Sequence, residues 1–170
     1  KGYNDIDVET FDFDNMDKSF PTIDGEDAKA MLSLIENARQ RGDSVGGVIE
    51  CVITGVDAGV GEFMFDSIEG QISRLAFSIP AVKGVEFGTG FEISSLSGSR
   101  ANDSFIISGG KVKTKTNHNG GINGGISNGM PLVIKCAVKP TPSISKEQNT
   151  VDFINNENTV LSVKGRHDPC

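Results

Sequence analysis

The chain is organised around a glycine-rich stretch that reads Asn117-His118-Asn119-Gly120-Gly121-Ile122-Asn123-Gly124-Gly125-Ile126-Ser127-Asn128-Gly129. Paired glycines allow positive φ angles and a close approach of the backbone to a ligand, because they carry no Cβ atom. Free backbone N–H groups in such a loop can converge on an anion. Composition alone favours a flexible surface linker, since runs of Gly, Asn and Ser often serve that purpose. The rest of the chain decides between the two interpretations.

The segment after the glycine stretch is apolar and predicts a strand from Leu132 to Val138. A polar turn follows, with the sequence Lys139-Pro140-Thr141-Pro142-Ser143-Ile144. This order places a flexible array of backbone donors and a lysine at opposite ends of one strand.

Size and composition bound the class of protein. The 170 residues predict one domain with a substantial core. No apolar run approaches the length of about 18 residues that a transmembrane helix needs. Cys51, Cys136 and Cys170 are odd in number and far apart, so they predict no disulfide framework, and the first two are expected to pack as small hydrophobes in strands. We therefore expect a reducing, cytoplasmic compartment and no membrane partner.

The formal net charge of −7 is unevenly distributed. Residues 1–30 hold nine acidic and three basic residues, whereas residues 111–170 hold eight basic and four acidic residues. An acidic chain argues against a nucleic-acid partner, which needs a broad basic face. The basic C-terminal third fits a small phosphorylated ligand, although uneven solvation of the surface explains this charge pattern equally well.

Hydrophobic periodicity predicts two helices. The first begins at Asp24 and ends near Arg41-Gly42, where glycine supplies the C-terminal cap. The second is capped by Asp66-Ser67-Ile68-Glu69 and ends at Pro80. In the first helix, Met31, Leu34, Ile35 and Ala38 follow one another at helical spacing. In the second, Ile68, Ile72, Leu75, Ala76 and Ile79 share one face, which is expected to belong to the core.

Alternation and β-branched density predict the strands. Residues 43–56 are expected to form a largely buried strand, and residues 85–93 a strand with one buried face. Residues 150–154 and 159–163 are expected to pair as a hairpin. Residues 1–23 are interpreted as an acidic connector, and residues 97–129 as a mobile glycine-rich excursion that becomes ordered on ligand binding.

A triplet near the C-terminus, Arg166-His167-Asp168, places a fixed cation, a titratable ring and a carboxylate in succession. Arginine can bind phosphate through two parallel hydrogen bonds, and a neighbouring carboxylate can hold or move a proton. Such triplets also occur in solvated polar loops. The other histidine is His118, and two histidines without cysteine or aspartate at ligand spacing predict no metal site.

Five segments follow one another in a fixed order across residues 41–170. They are Arg41-Gly42-Asp43-Ser44-Val45-Gly46-Gly47-Val48-Ile49-Glu50, Ile79-Pro80-Ala81-Val82-Lys83-Gly84-Val85-Glu86-Phe87-Gly88, the loop Gly120–Gly129, Lys139-Pro140-Thr141-Pro142-Ser143-Ile144 and Gly165-Arg166-His167-Asp168-Pro169-Cys170. Together they closely resemble chorismate synthase. The glycine stretch is therefore expected to be a ligand site rather than a linker.

The resemblance covers only the C-terminal half of that family. The chain lacks the family's N-terminal Gly-Glu-Ser-His-Gly motif, its second active-site histidine, its flavin segment rich in arginine and serine, and its C-terminal helical tail. Phe63 stands where the family's Gly-Glu-Pro run has proline. His118 lies outside the family's catalytic histidine motifs, so that role is not transferred to it. On this basis the isolated chain is expected to be inactive.

The resemblance implies an α+β fold, a β-α-β sandwich with helices packed between antiparallel sheets, assembled as a homotetramer. It implies reduced FMN as cofactor and 5-enolpyruvylshikimate 3-phosphate as substrate. The implied reaction is a 1,4-elimination that releases phosphate and a C6 proton and yields chorismate, without net redox change of the flavin. Whether the intact protein reduces its own flavin with NADPH stays open.

The resemblance also implies site residues. Flavin contacts are expected from Pro80, Ala81, Gly124, Lys139, Pro140, Thr141, Pro142, Ser143 and Arg166. Asp168 is expected to be the catalytic carboxylate that faces the reactive nitrogen of the flavin, and Arg166 also to contact the substrate. The alternative is a non-catalytic folded fragment, or a module that binds an anion or flavin without turnover.

Overall fold

The computed structural model describes residues 2–8, 10–165 and 168–170. The chain folds into two compact units, a first unit of Lys1–Gly47 with Lys139–Cys170 and a second unit of Val48–Val138. The helices are α1 (Gly25–Gln40), α2 (Ile68–Ser78) and the single turn α3 (Gly98–Ala101). Among the described residues, no helix combines the length and the apolar character needed to cross a bilayer. The prediction of a single domain stays a prediction.

The strands are β1 (Gly47–Ile53), β2 (Val82–Phe87), β3 (Phe105–Ser108), β4 (Lys111–Thr114), β5 (Ile122–Asn123), β6 (Ile126–Ser127), β7 (Leu132–Val138), β8 (Gln148–Asp152) and β9 (Glu157–Leu161). The largest sheet has the order β1-β7-β2, and each of the pairs β3-β4, β5-β6 and β8-β9 forms a small antiparallel sheet. Helices and antiparallel strands together confirm the predicted α+β class.

The core of the second unit lies on β7, whose predicted bounds are confirmed. Leu132 and Ile134 are buried there beside Ile122 of β5, and Ile68 and Ile72 of α2 pack against them. β7 pairs antiparallel with β2, with Phe87 opposite Ile134. The strand that follows the glycine stretch is therefore the centre of the unit.

Both long helices follow the sequence prediction. The side chain of Asp24 caps α1 by accepting from Glu26 N at 2.9 Å, and Ser67 caps α2 by accepting from Gly70 N at 3.0 Å. The predicted apolar faces are only partly buried. Ala38 and Ala76 are buried, but the exposed members of these faces are Met31, Leu34, Leu75 and Ile79. For Leu75 and Ile79 of α2 the expected core position is wrong, because periodicity identifies an apolar face and not what covers it.

The prediction of a largely buried strand over residues 43–56 is wrong in two respects. The strand β1 begins at Gly47, because residues 42–45 bond to other loops instead of to the sheet. Val48 and Ile49 are also 69% and 63% exposed, and Cys51 is exposed rather than packed. β1 is one of the two edge strands of its sheet, and its β-branched residues indicate strand geometry without indicating burial.

Two other predicted elements, the strand at residues 85–93 and the C-terminal hairpin, have different bounds in the structure. The strand expected over residues 85–93 runs instead as Val82–Phe87, and a 3-10 helix occupies Gly90–Ser95. Gly88 ends β2 by turning the backbone to a φ of 57°. The C-terminal hairpin is confirmed, but β8 and β9 each lie about two residues earlier than predicted. The hairpin β3-β4, inside the predicted mobile excursion, carried no prediction of its own.

Candidate functional site

The glycine stretch is held in the second unit by a reciprocal glycine contact. Both Gly88 and Gly120 have positive φ, and a Cβ atom on either would lie 2.4 Å from the backbone nitrogen of the other. Around this contact, Gly88 N donates to Val133 O at 2.9 Å, and Thr89 N donates to His118 O at 2.9 Å. No L side chain fits at either glycine, because the neighbouring atoms are backbone. The stretch is a packed part of the unit and not a linker.

Asp103 organises the start of the stretch, and its side chain is only 5% exposed. Its Oδ1 atom accepts from Thr116 Oγ1 at 2.7 Å and from His118 N at 2.8 Å. Its Oδ2 atom accepts from Asn119 N at 2.9 Å and from Asn119 Nδ2 at 3.0 Å. Burial alone would raise the pKa of the Asp103 carboxyl, but hydrogen bonds from the Asn119 and His118 amides and the Thr116 hydroxyl hold that pKa below its usual value.

Sequence reasoning missed Asp103. Its partners lie 13 to 16 residues further along the chain, beyond any local pattern. One signal was present: Asp103 is the only acidic residue between Glu92 and Glu147. A lone carboxylate in a long polar segment rich in backbone donors is a candidate anchor for that segment.

The second half of the stretch packs against residues 57–68. The buried hydroxyl of Ser127 donates to Asp57 O at 2.5 Å and accepts from Val60 N at 2.9 Å. A Cβ atom on Gly125 would lie 2.5 Å from Glu62 O. Gly124 is different, because a Cβ atom there would meet no atom within 4 Å. Among the paired glycines of the stretch, Gly124 presents open backbone that another molecule can approach.

The predicted site residues Pro80 and Ala81 form a tight turn between α2 and β2. Val82 N donates to Ile79 O at 3.3 Å, and Ala81 has a φ of 72°. Proline at the second position and a positive φ at the third are the pattern of a type II turn, whose third residue is usually glycine. An alanine in this region costs about 1–2 kcal/mol. Backbone strain of this kind is concentrated at functional sites, so it marks the turn as a candidate ligand contact.

The predicted residues Lys139–Ser143 form a loop in the first unit, after β7. Thr141 O accepts from Ser44 Oγ at 2.6 Å, and Pro142 O accepts from Gln148 Nε2 at 2.9 Å. The side chains of Lys139 and Ser143 are exposed. The loop is thus anchored through its carbonyl groups and leaves polar side chains accessible.

The predicted catalytic residue Asp168 is exposed and lies in the same unit. Its neighbour Pro169 accepts a hydrogen bond at its carbonyl oxygen from Val45 N at 2.8 Å. Arg166, which was expected to contact flavin and substrate, lies outside the described residues together with His167. Pro80, Ala81 and Gly124 belong to the second unit, so the predicted residues fall into one set in each unit.

The ring of His118 is engaged within the second unit, where its Nδ1 atom lies 3.0 Å from Thr89 Oγ1. In the described part of the chain, no three His, Cys, Asp or Glu side chains are grouped so as to hold a metal ion.

Comparison with known proteins places these motifs in a family. The profile of the chorismate synthase family matches residues 5–170. The chain is 53% identical to a chorismate synthase of Dehalococcoides mccartyi over 142 residues, which is 84% of this chain and 39% of that protein. It is 47% identical to that of Methanobrevibacter smithii over 171 residues, which is 98% of this chain and 47% of that protein.

A crystal structure of chorismate synthase matches with a TM-score of 0.67 and 37% identity, over 71% of this chain and 37% of the other. The chain spans between 39% and 47% of the length of these two curated relatives. The family profile covers both units and all five segments quoted above. The chain belongs to the chorismate synthase family.

Proposed function

We propose that the chain is the flavin-side half of a chorismate synthase, a carbon–oxygen lyase of the shikimate pathway of aromatic amino-acid biosynthesis. The reaction is the anti-1,4-elimination of phosphate from 5-enolpyruvylshikimate 3-phosphate to give chorismate. The observation that carries the proposal is the 47% identity to a chorismate synthase over 98% of the chain. The intact protein is proposed to be a cytoplasmic homotetramer with the β-α-β sandwich fold.

In each unit, taken by itself, the predicted residues have the chemistry to contact reduced FMN. The open backbone at Gly124 and the strained Pro80–Ala81 turn offer N–H and C=O groups that a planar ring system can approach. The exposed Lys139 offers a cation, and Thr141 and Ser143 offer hydroxyl groups for an anionic ligand. Reduced FMN, when bound, supplies electron density that helps the C–O bond to phosphate break. The protein's task is then to orient both anions and to exclude water.

Asp168 is proposed to hold or accept a proton at the reactive nitrogen of the flavin. Its side chain is exposed and free of the packing that fixes Asp103, so it is accessible to a ligand. Arg166 is proposed to bind the phosphorylated ligands through charge-assisted hydrogen bonds, a role that rests on its place in the Gly165–Cys170 segment.

The second candidate function is a folded module that binds flavin or an anion without turnover. The chain spans 39–47% of the length of these two relatives, so ligand binding and turnover are tested separately. Chorismate formation by the purified 170-residue chain with reduced FMN would contradict the expectation that the isolated chain is inactive.

A chimera tests the catalytic proposal. The segment of the Methanobrevibacter smithii relative that matches this chain is replaced by the chain itself, and chorismate formation is measured anaerobically with reduced FMN. We expect turnover by the chimera, and strongly reduced turnover when it carries Asp168→Asn. A chimera that folds and binds FMN but forms no chorismate would refute the catalytic proposal and leave the binding module.

A further inference from the structure

A short segment between α1 and β1, Gly42–Val45, bonds to two distant parts of the first unit. Ser44 Oγ donates to Thr141 O at 2.6 Å, across 97 residues of sequence. Val45 N donates to Pro169 O at 2.8 Å. Thr141 lies in the loop Lys139–Ser143, which we call the flavin loop. Pro169 directly follows the proposed catalytic Asp168. We call Gly42–Val45 the junction segment.

The junction segment also binds Ser145 and Lys146, which lie shortly after the flavin loop. Gly42 O accepts from Ser145 N at 3.1 Å and from Lys146 N at 3.2 Å. Asp43 Oδ2 forms an ion pair with Lys146 Nζ at 2.8 Å, and Asp43 Oδ1 accepts from Ser44 N at 3.0 Å. The hydrogen bond from Lys146 and then that from the Ser44 amide hold the pKa of the Asp43 carboxyl below its usual value. Carbonyl, carboxylate and hydroxyl groups therefore hold both sides of the loop.

The flavin loop needs such external partners because of its sequence. Pro140 and Pro142 carry no N–H group, so they cannot donate to neighbouring backbone. The loop consequently has few donors with which to fix its own shape, and its carbonyl groups are bonded by side chains from elsewhere, Ser44 at Thr141 and Gln148 at Pro142. The half-buried Ser44 hydroxyl is the contact that joins the centre of this loop to the junction segment.

The segment that carries Asp168 is linked to the same place. Val45 follows Ser44 directly, so a shift of the Ser44 backbone moves the donor that holds Pro169. α1 ends at Gln40, and Asp43 N donates to Ala38 O at 2.9 Å, which attaches the junction segment to the end of a 16-residue helix. The helix thus provides a rigid base for both loops.

We propose that Ser44 is a positioning residue: with Val45 and Asp43 it sets the spacing between the loop Lys139–Ser143 and the segment that carries Asp168. The inference rests on the proposed function for its meaning, since it assigns the junction segment to the flavin site. This role requires no contact between Ser44 and flavin or substrate, because Ser44 acts by holding Thr141 and, through Val45, Pro169.

Amide hydrogen exchange of the chain without ligand tests the physical coupling. In Ser44→Ala we expect exchange to accelerate by about tenfold, the effect of losing one hydrogen bond, at the amides of Ser145 and Lys146 and also at that of Val45. Ser44→Thr, which keeps the hydroxyl, is expected to restore slow exchange. Ser78→Ala is the matched control, because it removes a serine hydroxyl that donates to Leu75 O on an exposed helix in the second unit.

The outcomes separate clearly. Acceleration at Ser145 and Lys146 and at Val45 together, with rescue by Ser44→Thr and no change in Ser78→Ala, supports the proposal. Acceleration confined to Ser145 and Lys146, or acceleration equal to that of the control, overturns it.

Titration of the chimera with reduced FMN connects this coupling to the site. Ser44→Ala is expected to raise the FMN dissociation constant about tenfold at an unchanged melting temperature, with recovery in Ser44→Thr. An unchanged dissociation constant overturns the positioning role. If the unsubstituted chimera binds no FMN, the proposed function fails, and the exchange experiment alone decides whether Ser44 couples the two loops.

Discussion

Replacement of Asp103 by alanine tests whether one buried carboxylate holds the glycine stretch in place. The substitution removes an acceptor of four hydrogen bonds, two from backbone N–H groups, one from a hydroxyl and one from an amide side chain. A hydrogen bond to a charged group contributes about 1.5–3 kcal/mol, and a buried donor left without a partner costs about 1–3 kcal/mol. The Thr116 and Asn119 side chains can turn to water, whereas the two amides are fixed. We therefore expect a loss of about 3–4 kcal/mol in the free energy of unfolding.

Asp103→Asn gives the matched comparison. Its oxygen can still accept from His118 N and Thr116 Oγ1, but its NH₂ group would face Asn119 N and Nδ2, which are also donors. A loss of about 2 kcal/mol is expected, between the wild type and Asp103→Ala. Asp152→Asn serves as the control, since this half-buried residue caps an exposed turn by accepting from Ile154 N and Asn155 N. Only a small change in the free energy of unfolding is expected for Asp152→Asn.

Urea unfolding at pH 7 measures these differences, and repetition at lower pH tests their electrostatic origin. The folded pKa of Asp103 lies below its unfolded value of about 3.9, so its ionised form stabilises the fold above that pH. The contribution is lost as the pH falls through the folded pKa. The gap between wild type and Asp103→Ala should therefore narrow below about pH 4. A loss below about 1 kcal/mol at pH 7 would refute the assignment of Asp103 as the anchor.

Further substitutions address the glycines, the strained turn and the proposed catalytic segment. Gly88→Ala should destabilise the chain by about 3 kcal/mol or more, because the new Cβ meets His118 O and Gly120 N. Gly124→Ala has open space and should cost only about 1 kcal/mol, because of its positive φ. Thermal melts of the two variants measure this difference in stability. Ala81→Gly should stabilise the chain by about 0.5–1 kcal/mol because it relieves the positive φ, and a lower melting temperature would contradict the strain at that turn. In the chimera, Asp168→Asn should reduce turnover by about 10²-fold with little change in FMN affinity. Arg166→Ala should instead weaken binding of the phosphorylated ligands. Near-normal kinetics in both variants would show that the segment is a solvated loop.

What sequence could predict was local. The caps at Asp24 and Ser67 and the helix breaker at Pro80 depend on neighbouring residues only. α1 and α2 begin directly after these caps, and α2 ends shortly before Pro80. The strand Leu132–Val138 was predicted with its observed bounds, because a short apolar run between polar turns leaves little choice of where the strand begins and ends. The family was predicted for a different reason, since five segments in order are far more specific than any one of them.

What sequence could not predict depended on residues brought together from far apart. Val48 and Ile49 look like core residues, but both are exposed, because a local pattern does not show what covers each face of β1. Gly88 looked like part of an alternating strand, but Gly120, 32 residues later, requires the backbone to turn there. Asp103 and Ser44 matched no motif for chemistry, and their importance rests on partners that only the fold supplies.

The glycine stretch combines two requirements that composition cannot separate. At Gly88, Gly120 and Gly125 a side chain is excluded by protein backbone, so these glycines serve packing. At Gly124 no protein atom excludes a side chain, so a glycine there serves either the close approach of another molecule or the positive φ of the turn. A loop held by Asp103 and Ser127 loses little conformational entropy when a ligand binds beside Gly124, and this lowers the cost of binding. We therefore expect any order gained on ligand binding to fall on the exposed β3-β4 hairpin, and the backbone around Gly124 to be in place beforehand.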